Sequence, residues 1–345
     1  MSYLEQEIRQ QPAVLAELFD IERPRVEAIV RDIRRREIEY LFIAARGSSD
    51  NAARYGKYLF SALNRLPVAL AAPSLFTLYR TPPCLEGALA IGISQSGRST
   101  DIVEVLREAR RQGACTLAIT NDADSPLAQT AEYLILCHAG EERSVAATKT
   151  YTAQLAALAL LASAMAGDDR RLEALGALPQ AVEAALALED QIRRATERYR
   201  DMDRCVVIGR GYNYATAFEI ALKLKELTYV VAEPYSPADF RHGPVAMIAK
   251  GFPALVVAPQ GQVYADVYDL VAELHERGAD LVVISDREEA VALSQTPCLL
   301  PVAVEEWLSP LISVIPGQLL ALHLALTKGF DPDHPRGLSK VTLTR

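Results

Sequence analysis

Within the run from Ala215 to Val231, Glu219, Lys223 and Glu226 stand at positions i, i+4 and i+7. On a helix of about 3.6 residues per turn this spacing gathers two carboxylates and one ammonium within about 60° of one another. Such a stripe is a candidate acid/base constellation, since carboxylates and an amine on one face can exchange protons with a ligand. The spacing has a second reading as a solvent-facing ion-pair stripe, since Glu and Lys at i,i+4 stabilise helices generally. Phe218, Ile220, Ala221, Leu222, Leu224 and Leu227 surround the charges with apolar residues, so this helix is expected to pack on more than one side.

Two short polar loops offer a different chemistry. Arg46-Gly47-Ser48-Ser49-Asp50 and Ser94-Gln95-Ser96-Gly97-Arg98-Ser99 each follow an apolar run and precede a helical pattern. In an open α/β sheet such loops lie beyond the carboxyl ends of the strands, where ligands bind. Ser48, Ser49, Ser94, Ser96 and Ser99 would bring hydroxyls to the amides of two helix N-termini, a setting that favours a phosphate. One such loop reads as well as an ordinary N-cap or turn, but two in one sheet point to an anion site. Neither loop is GxGxxG or GxxxxGK[ST], which argues against a dinucleotide or a nucleoside triphosphate. His242, in Arg241-His242-Gly243-Pro244, follows the charged helix on a turn and is either structural or placed for proton transfer. His138, His275, His323 and His334 have no ligand spacing, so no metal is expected.

The elements that would position these groups alternate. Apolar strands are predicted over 40–45, 88–93, 116–120 and 133–136, with helices over 22–36, 51–64, 100–112 and 148–166 between and around them. Residues 1–18 are also expected to be helical, with Pro12 opening a second piece. After a charged helical stretch, 168–200, strands recur at 205–208, 254–258 and 281–285. Gly211 follows Gly47, and Gly261 follows Gly97, by the same 164 positions (211 − 47 and 261 − 97). The pattern predicts a duplicated α/β domain whose parallel sheets are covered on both faces. An N-terminal helical segment would occupy 1–21, the first domain 22–167, a helical linker 168–200 and the second domain 201–328. The apolar helix 316–326 closes that domain, and an irregular tail over 329–345 is placed to fold over a site.

Composition narrows the class. The 345 residues are 50% hydrophobic, enough for large cores, and the formal net charge of −8 argues against a nucleic-acid partner. Five scattered cysteines without CxxC spacing read as reduced, buried residues. No signal peptide is apparent, and the longest apolar run, 155–167, is too short to cross a bilayer, so a cytoplasmic protein without a membrane partner is expected.

Six segments taken together, Ala45 to Asn51, Ile93 to Gly97, Ser144 to Thr150, Ala221 to Glu226, Arg241 to Pro244 and Pro335 to Lys340, resemble the sugar isomerase (SIS) family. The resemblance runs from Glu5 to Lys340. It is strongest to the isomerase half of glutamine:fructose-6-phosphate aminotransferase and to the glucosamine-6-phosphate deaminases of SIS type. It implies two flavodoxin-like SIS domains, a homodimer in which His242 reaches the neighbouring subunit's site, a sugar-phosphate ligand and no cofactor. By the same resemblance Ser49, Ser94, Gln95, Ser96 and Ser99 would hold the phosphate. Gly47, Ser48, Val145, Ala147, Lys149 and Arg336 would line the site. Glu226 would move the proton between C1 and C2, Lys223 would assist at C2, Glu219 would position the sugar or the lysine, and His242 would open the ring. Lys340 would line the site from the tail, the position that forms an imine in the aminotransferase.

Three residues depart from the aminotransferase pattern. Arg46 replaces a small residue, Arg98 an acidic one, and Ala147 a serine that contacts the sugar. No cysteine follows Met1, so a glutamine-using activity would need a partner subunit. The two arginines resemble the deaminase branch, so conversion of glucosamine 6-phosphate to fructose 6-phosphate and ammonia is the first expectation. The alternatives are an aminotransferase-like isomerase, a deaminase of galactosamine or fructosamine 6-phosphate, and a non-catalytic sugar-phosphate sensor.

Overall fold

The structure is a computed structural model, and it describes residues 1–340. Two five-stranded sheets carry the fold. The first contains β1 (Tyr40–Ala44), β2 (Val68–Leu70), β3 (Ala88–Ile93), β4 (Cys115–Thr120) and β5 (Tyr133–Leu136), in the order β2-β1-β3-β4-β5. The second contains β6 (Arg204–Ile208), β7 (Val231–Tyr235), β8 (Pro253–Val257), β9 (Asp280–Ser285) and β10 (Thr296–Leu299), in the order β10-β9-β8-β6-β7. Read from the β7 edge, this is the order of the first sheet, and every pairing in both is parallel. The duplicated α/β architecture is therefore present, with the strand order of a flavodoxin-like sheet.

By its contacts the chain divides into two compact units. One comprises residues 11–142 and 149–177 together with Ser339 and Lys340; the other comprises 1–10, 143–148 and 178–338. In the first, β3 and β4 are buried at every residue, as expected for central parallel strands covered on both faces. Phe42, Ala44, Ala90, Ile102, Leu106 and Leu127 belong to its core, and Val206, Ile208, Val256, Leu270, Val271 and Val283 to that of the second.

Three strands escaped the sequence pattern: β2, β7 and β10. All are edge strands of three to five residues, and two contain proline, Pro234 and Pro297, so neither length nor alternation marks them. The expected helix from Ala215 to Val231 spans Asn213–Thr228; Tyr229 takes a left-handed φ of 60° and Val231 opens β7. The two expected N-terminal helices are one helix, Tyr3–Ile33, containing Pro12 and Pro24 and crossing the division expected after residue 21. Leu4, Ile8, Leu15, Leu18, Val26, Val30 and Ile33 are buried along its length. Each such burial stabilises by about 1.5–3 kcal/mol, against about 3 kcal/mol lost at each interior proline.

The closing apolar helix is longer than expected, Ser309–Thr327, with Pro316 inside. With the turn before it, this segment is long and apolar enough to cross a membrane, but 89% of its apolar 18-residue stretch is buried inside the protein, as a core helix is. It packs closely on the Asn213–Thr228 helix: a Cβ on Gly317 would lie 2.3 Å from Ile220 Cγ1. Asn213 Nδ2 also donates to Ser309 Oγ at 2.7 Å. The expected closing tail is described to Lys340, and its positions 341–345 lie outside the described residues.

Candidate active site

The Asn213–Thr228 helix carries the charged stripe, packed against β6, β7 and the Ser309–Thr327 helix. Lys223 is 1% exposed and Glu219 fully buried, so the solvent-facing reading of the spacing fails. Lys223 Nζ lies 3.4 Å from Glu219 Oε1 and 2.5 Å from Glu226 Oε2. Glu226 keeps 23% of its side chain exposed and is the member that a ligand can meet. A buried ammonium thus joins one carboxylate in the interior to another at the surface. Burying the charges of Glu219 and Lys223 costs stability unless each is compensated, which marks such a cluster as a candidate site.

The serine loops occupy the unit built on β1–β5. They leave the carboxyl ends of β1 and β3, neighbouring strands from which the chain departs toward opposite edges of the sheet. This is the switch point at which doubly wound sheets bind ligands. Gly47 (φ 55°) precedes the Ser48–Leu63 helix, placing Ser48 and Ser49 in its first turn. Ser49 and Ser94 are buried, and Ser94 Oγ lies 3.2 Å from Ser99 Oγ. Ser99 stands at the N-cap of the Thr100–Arg111 helix without capping it through its side chain. Ser96 Oγ accepts from the Arg98 amide at 3.3 Å. The Gln95 carbonyl accepts from the Asn121 amide at 3.1 Å and from Thr120 Oγ1 at 3.2 Å, tying this loop to the end of β4. Gly97 has φ 61°, and a Cβ there would stand 2.1 Å from Ser125 Oγ, so no larger residue fits.

The remaining predicted site residues fall on three segments. Val145 and Ala147 lie on the 143–148 stretch, whose Arg143 and Ser144 amides donate to the buried Glu7 carboxylate, the Ser144 amide at 3.3 Å. Lys149 is buried and its ammonium donates to the Glu141 carbonyl at 2.7 Å. Lys340 Nζ pairs at 2.9 Å with Oε2 of the buried Glu142, which also accepts from Thr150 Oγ1 at 2.7 Å. The Arg336 amide donates to Tyr229 Oη at 2.7 Å, and its guanidinium lies 4.3 Å from the centre of the Tyr229 ring. His242 ends the short helix Pro237–Arg241, is exposed, and its ring has no hydrogen-bond partner among the described residues. Among the described residues no cluster of His, Cys, Asp and Glu could hold a metal ion.

The loops of the other unit are built differently. Where the first unit has Gly97, the second has Gly261, and a Cβ there would lie 2.2 Å from Glu306 Cδ. The Glu306 carboxylate accepts from the amides of Gln262 at 2.9 Å and Val263 at 3.4 Å. In this unit a side chain of the chain itself takes the amides at the start of the Tyr264–Glu276 helix.

A profile of the SIS domain matches residues 36–164 and again residues 198–328, three quarters of the chain and one match for each sheet. The chain belongs to the SIS domain family. It is 37% identical over 352 aligned positions to a glutamine–fructose-6-phosphate aminotransferase (isomerizing) of Thermus thermophilus. The match covers 98% of this chain but 58% of that relative's length. Among solved structures, it superposes with a TM-score of 0.87 on a Silicibacter pomeroyi protein assigned as a phosphosugar isomerase, at 34% identity, covering 96% of this chain and all of that one. It superposes at 0.86 on the C-terminal domain of the glucosamine-fructose-6-phosphate aminotransferase of Francisella tularensis, at 28% identity, covering 97% and 98% of the two chains.

Within this SIS chain, sequence reasoning passed over Glu7, Asp101 and Glu142, carboxylates buried beside the candidate residues. Asp101 accepts from Arg46 Nε at 2.8 Å. Nothing local marks these acids: apart from the Ile102 amide on Asp101, the partners named for them lie 8 to 198 positions away.

Proposed function

We propose that the chain interconverts a 2-amino aldose 6-phosphate and the C2 imine that a ketose 6-phosphate forms with ammonia, water leaving as the imine forms and returning when it hydrolyses, the chemistry of the isomerase half of an aminotransferase. The observation that carries this reading is Lys223, 1% exposed, between Glu219 and Glu226 on a single helix. In the proposed reaction the Glu226 carboxylate takes a proton from the carbon next to the carbonyl or imine. The electron pair of that C–H bond passes into an enediol-type intermediate, and Glu226 returns the proton to the adjacent carbon. The Lys223 ammonium offsets the charge on the intermediate, and Glu219 holds the lysine in place. Ser49, Ser94, Gln95, Ser96 and Ser99 take the phosphate at the helix N-termini, with Gly47 and Ser48 shaping the first loop. His242, exposed on its turn, opens the pyranose ring of a substrate bound by a neighbouring copy in a homodimer, and Lys340 lines the site from the tail.

A second reading, hydrolytic release of the nitrogen as ammonia, is favoured by Arg46 and Arg98 in the loops. The aminotransferase relatives weigh toward the first. Both share the proton transfer, which NMR in D2O detects as deuterium entering C1 or C2 of fructose 6-phosphate or glucosamine 6-phosphate. The unaltered chain is expected to exchange and Glu226→Gln not to, while phosphate binding persists. Complete release of ammonia from glucosamine 6-phosphate, with no glucosamine 6-phosphate formed from fructose 6-phosphate and ammonia, would select the deaminase. No exchange with either substrate, with binding retained, would overturn the enzyme in favour of a sensor.

A further inference from the structure

The duplication allows the two anion loops to be compared residue by residue. Arg46 and Arg210 stand 164 positions apart (210 − 46), each following the first strand of its sheet in chain order. Each pairs with an aspartate in the first turn of the helix that follows the third strand. Arg46 Nε donates to Asp101 Oδ2 at 2.8 Å, and Arg210 Nη1 to Asp266 Oδ2 at 2.6 Å. In the second unit Asp266 is also bound by Arg241 at 3.0 Å, and Glu306 takes the neighbouring amides, so the cluster is neutralised by its own residues. In the first unit the loop is rich in serine instead. Asp101 is fully buried and accepts, among the described residues, the Arg46 Nε and the Ile102 amide at 3.0 Å.

The atom used on Arg46 decides what the pair can do. Its anchor is Nε, so the terminal nitrogens Nη1 and Nη2 remain a two-pronged fork, and 49% of the side chain is exposed. A guanidinium pinned this way loses little further freedom when it meets two phosphate oxygens in parallel. We infer that Arg46 is a phosphate-recognition residue of the serine loops and that Asp101 is the positioning residue that aims it. The inference rests on the phosphate assignment of those loops and adds a specificity residue to it. It favours a dianionic phosphate over an uncharged hydroxymethyl end of the sugar.

Calorimetric titration of the full chain with inorganic phosphate tests this without relying on turnover. Arg46→Gln is expected to weaken phosphate binding about ten- to a hundredfold, the loss expected for a bidentate charge-assisted contact. Arg46→Lys should recover only part of it, because a point charge lacks the fork. Asp101→Asn should weaken binding severalfold with Arg46 intact. With a hexose 6-phosphate, Arg46→Gln should raise KM and leave kcat within about threefold, as loss of contact to a non-reacting group does. Phosphate affinity of Arg46→Gln within twofold of the unaltered chain, with a lowered Tm, would assign the pair to structure and overturn the inference. An unaltered chain that binds no phosphate would overturn both the inference and the loop assignment. Arg46-dependent phosphate binding in a chain without isotope exchange would sustain the inference and remove only the catalytic reading.

Discussion

Replacing Lys223 by methionine keeps the bulk of a buried side chain and deletes the ammonium between two carboxylates. Glu219, 3.4 Å away, is fully buried, whereas Glu226, 2.5 Å away, keeps 23% of its side chain exposed. At an effective dielectric constant of about 20, a charge pair at 3.4 Å interacts by about 5 kcal/mol. Breaking buried pairs by removing one partner costs about 3–5 kcal/mol, so the two estimates agree. For a unit of this size each kcal/mol moves the midpoint by about 2–4 °C, giving an expected fall in Tm of about 6–20 °C at pH 8. The loss should shrink toward pH 5. Without the ammonium, the buried carboxylate is better tolerated neutral, so the folded variant holds its proton more tightly than the unfolded chain. Stability is then present at low pH and lost as pH rises. Thermal unfolding followed by circular dichroism at both pH values measures this, with Glu219→Gln/Lys223→Met as the matched control. The double variant should recover at least about 1 kcal/mol relative to Lys223→Met. A fall of less than about 2 °C, or a double variant no more stable than the single one, would refute the account of a coupled buried charge cluster.

Two further expectations concern other parts of the chain. Cys84 is exposed while Cys115, Cys137, Cys205 and Cys298 are buried; burial pushes Cys115 up to about 11 and Cys205 and Cys298 up to about 12. Titration with 5,5′-dithiobis(2-nitrobenzoate) at pH 8 should therefore find one fast thiol and four that appear on denaturation, and more than one fast thiol would contradict this burial. The same raised values stabilise the fold below the unfolded thiol value of about 8.5, a contribution lost as pH climbs toward 11 and 12. Glu306→Gln should lower stability by about 1–3 kcal/mol, since a carboxylate that accepts from two amides becomes a neutral group. An unchanged Tm in that variant would show that the amides of Gln262 and Val263 do not depend on its charge.

Features that depend on local periodicity were legible in the chain alone. Apolar runs at β1, β3, β4, β6, β8 and β9 are long enough to announce parallel strands, and the recurrence of Gly47 at Gly211 announced the duplication. The i, i+4, i+7 spacing of Glu219, Lys223 and Glu226 fixed that these charges share a stripe. It left open whether the stripe faces water, because spacing along one helix carries no information about what packs on it. Packing answered it: Glu219 and Lys223 are buried, and Glu226 alone of the three reaches solvent. Tertiary contact likewise joined Pro12 and Pro24 into one helix, formed the edge strands β2, β7 and β10, and set Asp101 under Arg46, Glu7 under the 143–148 stretch and Glu306 over the second loop. A short edge strand, or an acid 55 or 137 positions from its partner, leaves no periodic trace in the chain. Its place is set by hydrogen bonds that exist only once the sheets have formed.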